Sequence, residues 1–266
     1  MNGECIVHLN DAVTLQLLGA HVARVTLNRP QVHNAVNAAL ANGLELAVQL
    51  TEDDPHIRCI ILTGAGQLAF CAGADLNALA DGQAATLLTA RGGFAGFVQQ
   101  PRRKPWIAAV NGVALAGGTE IALACDLIVA AEHASFGLPE VQRGLIAAAG
   151  GLYRLTRAIP RVLAIELILT GQRLSAARAQ QIGLVNRTVV ATELQQCARE
   201  LATHISGNAP LAVRESLTIA RAAFDHDEQA LQQMGEQAMK RLRASNDFKE
   251  GPRAFLEKRP PHWSGS

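Results

Sequence analysis

Between Pro105 and Gln142 the chain contains no lysine and no arginine, and most of its residues are apolar. A stretch of this kind belongs inside a fold, not on its surface. Trp106–Val110 and Leu127–Ala131 are short, continuous apolar runs, as expected of strands buried on both faces. Asn111-Gly112 turns the chain after the first run, and Gly117-Gly118 opens a helix to about Ala124. Strand, turn, helix and strand in succession predict a layered α/β core with parallel strands.

The same grammar extends outward. Residues 13–18 and 22–27 read as a β-hairpin around Gly19-Ala20. Residues 34–50 have helical periodicity, with Ala35, Leu40, Leu44 and Val48 on one side. Residues 58–63 predict a buried strand. Residues 64–74 are irregular, and Asp75 is placed to cap a short helix. Residues 84–99 read as a further helix despite Gly92, Gly93 and Gly96. Near Ile159-Pro160 the mixed pattern gives way to helical periodicity over 161–170, 175–182, 193–206, 210–224 and 227–243. Helices 193–206 and 210–224 carry apolar faces that predict burial against a second subunit.

Of the 266 residues, 49% are hydrophobic, 18% charged and only 4% aromatic, so the core is filled by small and branched aliphatic side chains. A formal charge of +1 gives no field to draw nucleic acid or an anionic membrane. No apolar run reaches the length of a membrane span. The N-terminus has neither a basic segment followed by an apolar core nor the arginines of a transit peptide. Five scattered cysteines form no Cys-x-x-Cys pair, which fits a reducing, cytoplasmic setting, with Cys59 and Cys125 as small buried hydrophobes.

Few groups in this chain can do chemistry. There is no Gly-x-Ser-x-Gly, no His-Glu-x-x-His and no phosphate-binding Walker loop, and the eight histidines are dispersed. Gly64-Ala65-Gly66-Gln67-Leu68-Ala69 matches a dinucleotide loop in spacing, but Phe70-Cys71-Ala72-Gly73 does not start the helix such a loop requires. Glu120 is the unusual residue. On a helix apolar on nearly every side, its carboxylate would lose hydration and its pKa would rise, as suits a general acid or base. The alternative is a first-turn Glu at the surface, complementing the helix dipole. Glu140, after Pro139, reads by itself as an ordinary helix start. Gly73-Ala74 and Gly117 each precede a helix, where free backbone N–H groups favour negative charge. Two such donors converging on one oxygen would make an oxyanion hole.

In order along the chain, Asn28-Arg29-Pro30 with Asn34-Ala35, Phe70-Cys71-Ala72-Gly73-Ala74-Asp75-Leu76, Lys104-Pro105-Trp106 through Asn111-Gly112, Ala116-Gly117-Gly118-Thr119-Glu120, Phe136-Gly137-Leu138-Pro139-Glu140, Gly150-Gly151, Leu169-Thr170-Gly171, Gly183-Leu184-Val185-Asn186 and Gly251-Pro252-Arg253-Ala254-Phe255 resemble the crotonase (enoyl-CoA hydratase/isomerase) superfamily, most closely its enoyl-CoA hydratases. One departure is Ala147, where many relatives carry Pro; a freer φ there predicts a looser turn after Glu140.

The resemblance implies the crotonase fold, a ClpP-like right-handed spiral of repeated ββα units over 1–190, with a helical C-terminal trimerisation region over 191–266. It implies a trimer or a dimer of trimers. It makes the Ala74 and Gly117 N–H groups the holders of a thioester oxygen, and Glu120 and Glu140 the pair that positions water and moves the α-proton. Val32, Ala72, Gly73, Ala74, Asp75, Leu76, Asn77 and Gly117 would line the acyl-CoA site. Phe255 and Lys258 would approach coenzyme A from a neighbouring subunit. The implied reaction is reversible syn hydration of a 2-enoyl-CoA to a 3-hydroxyacyl-CoA, with no metal or redox cofactor and coenzyme A as part of the substrate. Isomerisation, decarboxylation, dehalogenation or thioester hydrolysis on the same scaffold are the rival activities, and a non-catalytic RNA-binding relative is a rival of another class.

Overall fold

In a computed structural model, which describes residues 6–266, the core is built from one motif used three times. A strand in a large sheet turns into a strand of a second sheet and then into a helix. The first unit is Cys59–Gly64, Ala69–Cys71 and Leu76–Ala80. The second is Trp106–Val110, Val113–Leu115 and Gly117–Ala124. The third begins with Leu127–Ala131 and Ser135–Gly137 and reaches its helix, Gly151–Ala158, after a 3-10 turn at Pro139–Arg143.

Stacking the units makes both sheets. Cys59–Gly64, Trp106–Val110 and Leu127–Ala131 pair in parallel, Ile60 beside Trp106 and Ile107 beside Leu127. Arg187–Val189 closes that sheet at one edge. The antiparallel strands Ile6–Asn10, Val13–Leu17 and Val22–Leu27 extend it to seven at the other. Ala69–Cys71, Val113–Leu115 and Ser135–Gly137 run parallel in a four-stranded sheet completed by Leu174–Ser175. Every residue of Cys59–Gly64 and Trp106–Val110 is buried, as expected of central parallel strands with both faces covered. Phe97 meets Trp106 edge to face, with centroids 5.0 Å apart.

Three sequence expectations are corrected. Residues 84–99 are not a helix. They form a 3-10 turn, Ala84–Leu87, and a hairpin pairing Leu88–Thr89 with Gly93–Phe94. The glycines explain this: Gly93, Ala95 and Gly96 all have positive φ, and a Cβ on Gly96 would lie 2.2 Å from the Ala41 carbonyl oxygen. The helix expected over 34–50 starts only at Ala38, capped by Asn37, because Asn34 takes a left-handed conformation and is buried for another purpose. The apolar face of Leu194–Ser206 is covered by this chain's own strands Cys59–Gly64, Trp106–Val110 and Leu127–Ala131 and needs no second subunit. The next helix, Pro210–Ala222, does keep a largely uncovered side, with Pro210 its one fully buried residue. Arg221 anchors that helix through two nitrogens, each 2.7 Å from an Asp126 carboxylate oxygen.

Among the described residues no helix is long and apolar enough to cross a membrane. The 64–69 turn follows a strand and leads into another strand, so it has no helix N-terminus for a dinucleotide.

Two buried asparagines fix that turn, and through it the loop that carries Ala74. Asn34 donates to the Ala65 and Ala69 carbonyls at 3.0 and 2.9 Å and accepts from the Arg29 N–H at 2.9 Å. Asn111 donates to Gly66 and Ala69 and accepts from the Gly64 N–H. Replacing Asn34 with Ala leaves the Ala65 carbonyl and the Arg29 N–H without this partner. The variant should lose about 2 kcal/mol of stability in urea unfolding, the scale of one buried polar group left unpaired. Wild-type stability in Asn34→Ala would contradict this account of the loop.

Candidate active site

The second and third ββα units bring two carboxylates to one cavity. Gly117–Ala124 begins abruptly because Ala116 holds φ 51° and ψ −125°, a strained combination for a residue with a side chain. The Ala116 N–H donates to the Gly137 carbonyl at 2.9 Å. Thr119 joins the same neighbours, accepting from the Gly137 N–H at 3.0 Å and donating to the Ala114 carbonyl at 2.7 Å. Gly118 lets the helix press on the adjoining strand, since a Cβ there would lie 1.9 Å from the Cys71 carbonyl oxygen.

Those contacts bury Glu120, which is 3% exposed. The surface alternative for this residue is thereby excluded. Its Oε1 accepts from the Gly151 N–H at 2.9 Å, at the start of the helix Gly151–Ala158. Burial pushes the carboxyl up to about 7; the Gly151 N–H opposes the rise, the Glu140 charge adds to it, and the Ala149 N–H and the Arg154 charge oppose it less strongly. Glu140 sits in the first turn of Pro139–Arg143, half-buried, and burial raises its pKa as well, against the pull of nearby Arg143. One of its oxygens, Oε2, is buried with no hydrogen-bond partner among the described residues. Such an oxygen is suited to carrying a proton or meeting a polar ligand.

The N–H groups of Ala74 and Gly117 come from different units. Neither donates to an acceptor among the described residues. A Cβ built on Gly73 would lie 3.1 Å from the Gly117 amide nitrogen and 3.0 Å from the Ala116 Cβ, so the two loops touch where the donors emerge. Gly73 has φ 94°, which opens that approach. Asp75 caps the following helix by accepting from the Asn77 N–H at 3.1 Å. It also meets Arg29 at 2.9 Å, and this bond holds its carboxyl below the usual range.

The cavity between these elements holds about 380 Å³. Ala72, Ala74, Leu76, Gly117, Glu120 and Glu140 all line it. Val32, Gly73, Asp75 and Asn77 are not in its lining; Gly73 and Asp75 instead shape the backbone behind it. Phe255, 84% exposed, and Lys258 lie at the end of the C-terminal helix region and take no part in the cavity within this chain.

Residues 18–266 match the family model described as enoyl-CoA hydratase/isomerase. The chain belongs to the enoyl-CoA hydratase/isomerase family. It is 42% identical over 249 residues to carnitinyl-CoA dehydratase of Proteus mirabilis (strain HI4320), covering 92% of this chain and 95% of that protein. It is similar to the solved enoyl-CoA hydratase of Mycobacterium tuberculosis H37Rv, with a TM-score of 0.92 and 42% identity over 97% of this chain and all of that one. A Mycobacterium marinum enoyl-CoA hydratase gives 0.92 and 43% over the same shares. The crotonase fold expected from the sequence is borne out.

Within this family frame, sequence reasoning missed much of the wall. Leu79, Leu88, Phe94, Gln99, Leu115, Arg143, Leu145 and Ile146 also line the cavity. Phe94 stands directly over Gly117, where a Cβ would meet its ring at 2.4 Å. The misread hairpin hid Phe94 and Leu88. Gly151 was visible only as part of a Gly-Gly pair, with nothing in the sequence to connect its N–H to Glu120.

Proposed function

We propose that this protein catalyses the reversible addition of water to a 2-enoyl-CoA, giving the 3-hydroxyacyl-CoA. The observation that carries the reading is the pair of carboxyls, Glu120 and Glu140, both raised in pKa and both on one apolar cavity beside two uncommitted N–H groups. The Ala74 and Gly117 N–H groups donate to the thioester oxygen, where negative charge grows as water attacks. Fixed donors of this kind contribute roughly 3 to 4 kcal/mol each to the transition state. Ionised Glu120 takes a proton from water as its oxygen bonds to Cβ. Glu140, in its acid form, delivers a proton to Cα. In the reverse direction the roles exchange.

Moving a double bond requires only one proton carrier, whereas hydration also needs a held water. Two carboxyls on one cavity therefore favour hydration over isomerisation.

The acyl group is best read as uncharged. A carnitinyl group carries a quaternary ammonium, which is held best by aromatic faces or carboxylates. Among the described residues lining this cavity the carboxylates are Glu120 and Glu140 alone, Phe94 is the one aromatic ring, and Arg143 adds a positive charge. Leu79, Leu88, Leu115, Leu145 and Ile146 supply apolar wall.

Assembly as a trimer or a dimer of trimers would bring Phe255 and Lys258 of one subunit toward coenzyme A on the next. The uncovered side of Pro210–Ala222 and the exposure of Phe248, Phe255 and Leu256 on the last helix, Asn246–Leu256, support this arrangement. Light scattering at micromolar concentration should return a trimer or hexamer, and a monomer would overturn the assembly.

The activity is tested by following loss of the conjugated enoyl absorbance with crotonyl-CoA, longer homologues and 4-trimethylammonio-crotonyl-CoA. The neutral substrates should be hydrated and the cationic one disfavoured. Glu120→Gln should lower hydration roughly a hundredfold or more, the scale of one acid–base group. Glu140→Gln should damage both hydration and any weak isomerisation. Failure to hydrate every substrate, or an unchanged rate in Glu120→Gln, would exclude the hydratase reading. Preference for the cationic substrate would exclude the uncharged acyl group alone.

A further inference from the structure

Glu120 depends on a hydrogen bond from Gly151, and Gly151 has a guardian. Arg154 lies one turn further along the same helix and folds back over its start. Its Nη1 donates to the Ala149 carbonyl at 2.9 Å and its Nη2 to the Val98 carbonyl at 2.6 Å. Ala149 lines the cavity and belongs to the turn that delivers the Gly151 N–H to Glu120. Val98 stands beside Gln99 in a segment whose Phe94 and Gln99 line the same cavity. One planar guanidinium thus joins the cavity-lining turn at Ala149 to the backbone of Val98, 51 residues away in the chain and next to the cavity-lining Gln99. The fit is close: a Cβ on Gly150, where φ is 113°, would lie 2.1 Å from Arg154 Nη1.

We propose that Arg154 is a positioning residue for Glu120, holding the turn that supplies the Gly151 N–H and locking that turn to the Val98 backbone beside the cavity. Arg suits this task because its rigid fork bonds two carbonyls at fixed angles, which Lys cannot do.

The charges around Glu120 support the assignment. The helix Gly151–Ala158 carries Tyr153, Arg154 and Arg157, and Arg157 is paired with Asp225 at 2.8 Å. The strands Ala69–Cys71 and Val113–Leu115, packed on the Glu120 helix, contribute one titratable group, the Cys71 thiol, which burial pushes up to about 12 and so keeps neutral. Glu140 faces Glu120 with like charge. Arg143 lines the same cavity and acts on Glu140, whereas Arg154 is the cation that acts on Glu120 and favours its ionised form, besides fixing its donor.

The proposal rests on the hydratase reading for its rate arm but not for its titration arm. The Glu120 side chain is titrated by 13C NMR in labelled protein, with the signal assigned by its loss in Glu120→Gln. In Arg154→Met the midpoint should move to higher pH. The crotonyl-CoA kcat should fall roughly ten- to a hundredfold, as expected when a catalytic group is misplaced, while the Kd for unreactive butyryl-CoA stays within about twofold. Arg154→Lys should keep the titration near that of wild type, since it keeps the charge, and still lose kcat several-fold, since it loses the fork. An unchanged midpoint in Arg154→Met, with activity lost only in proportion to melting, would overturn the proposal. If Arg154→Met does not fold, a fully active Arg154→Lys overturns it instead. A wild-type enzyme inactive on every enoyl-CoA would defeat the hydratase reading and leave the titration to decide the role of Arg154.

Discussion

The hydrogen bond from the Gly151 N–H to Glu120 is the interaction on which the site depends. A carboxylate buried in an apolar helix is costly unless something meets it. A salt bridge would meet it too well, fixing the group as a permanent anion with a depressed pKa. Backbone N–H groups at a helix start, Gly151 first and Ala149 beside it, leave the carboxyl near about 7, able to take and give a proton. The surrounding fold preserves this balance. Gly118 admits the helix against Cys71, Thr119 fixes it to the second sheet, and Arg154 holds the donor in place.

The repeated ββα unit explains why these groups meet. Each unit ends its second-sheet strand at the same level, so the loops that follow emerge side by side. Ala74 follows the first such strand and Gly117 the second, while Glu140 follows the third. Donors and acid come from equivalent places in successive units, which is why residues far apart in sequence share one cavity of about 380 Å³. The buried asparagines Asn34 and Asn111 keep the first of these loops in register with the others.

Most of the central fold could be read from the sequence because short apolar runs and Gly-Gly pairs are local signals. Trp106–Val110, Gly117–Ala124 and Leu127–Ala131 fall where expected. The Leu88–Thr89 and Gly93–Phe94 hairpin did not, because its shape is set by tertiary fit: Gly96 packs against the Ala41 carbonyl, and positive φ is imposed at three nearby residues. Glu120 shows the limit most clearly. Its helix was evident, but whether its carboxylate faced solvent or core depended on strands and a helix elsewhere in the chain. The absence of lysine and arginine from Pro105 to Gln142 was a true local fact that concealed Arg143 and Arg154, which reach the site from outside that window.

The central claim is that a buried, reluctantly ionised Glu120 acts as the base toward water. The dependence of kcat/KM on pH for wild-type hydration of crotonyl-CoA tests it most directly, since it reports the free enzyme's essential groups. Glu120 and Glu140 interact, so the apparent values belong to the pair. The account predicts a rate that rises with pH through a limb near about 7, where Glu120 loses its proton, rather than near the ordinary glutamate value of 4.5. A rate already at its plateau at pH 5.5 and flat to neutrality would contradict it.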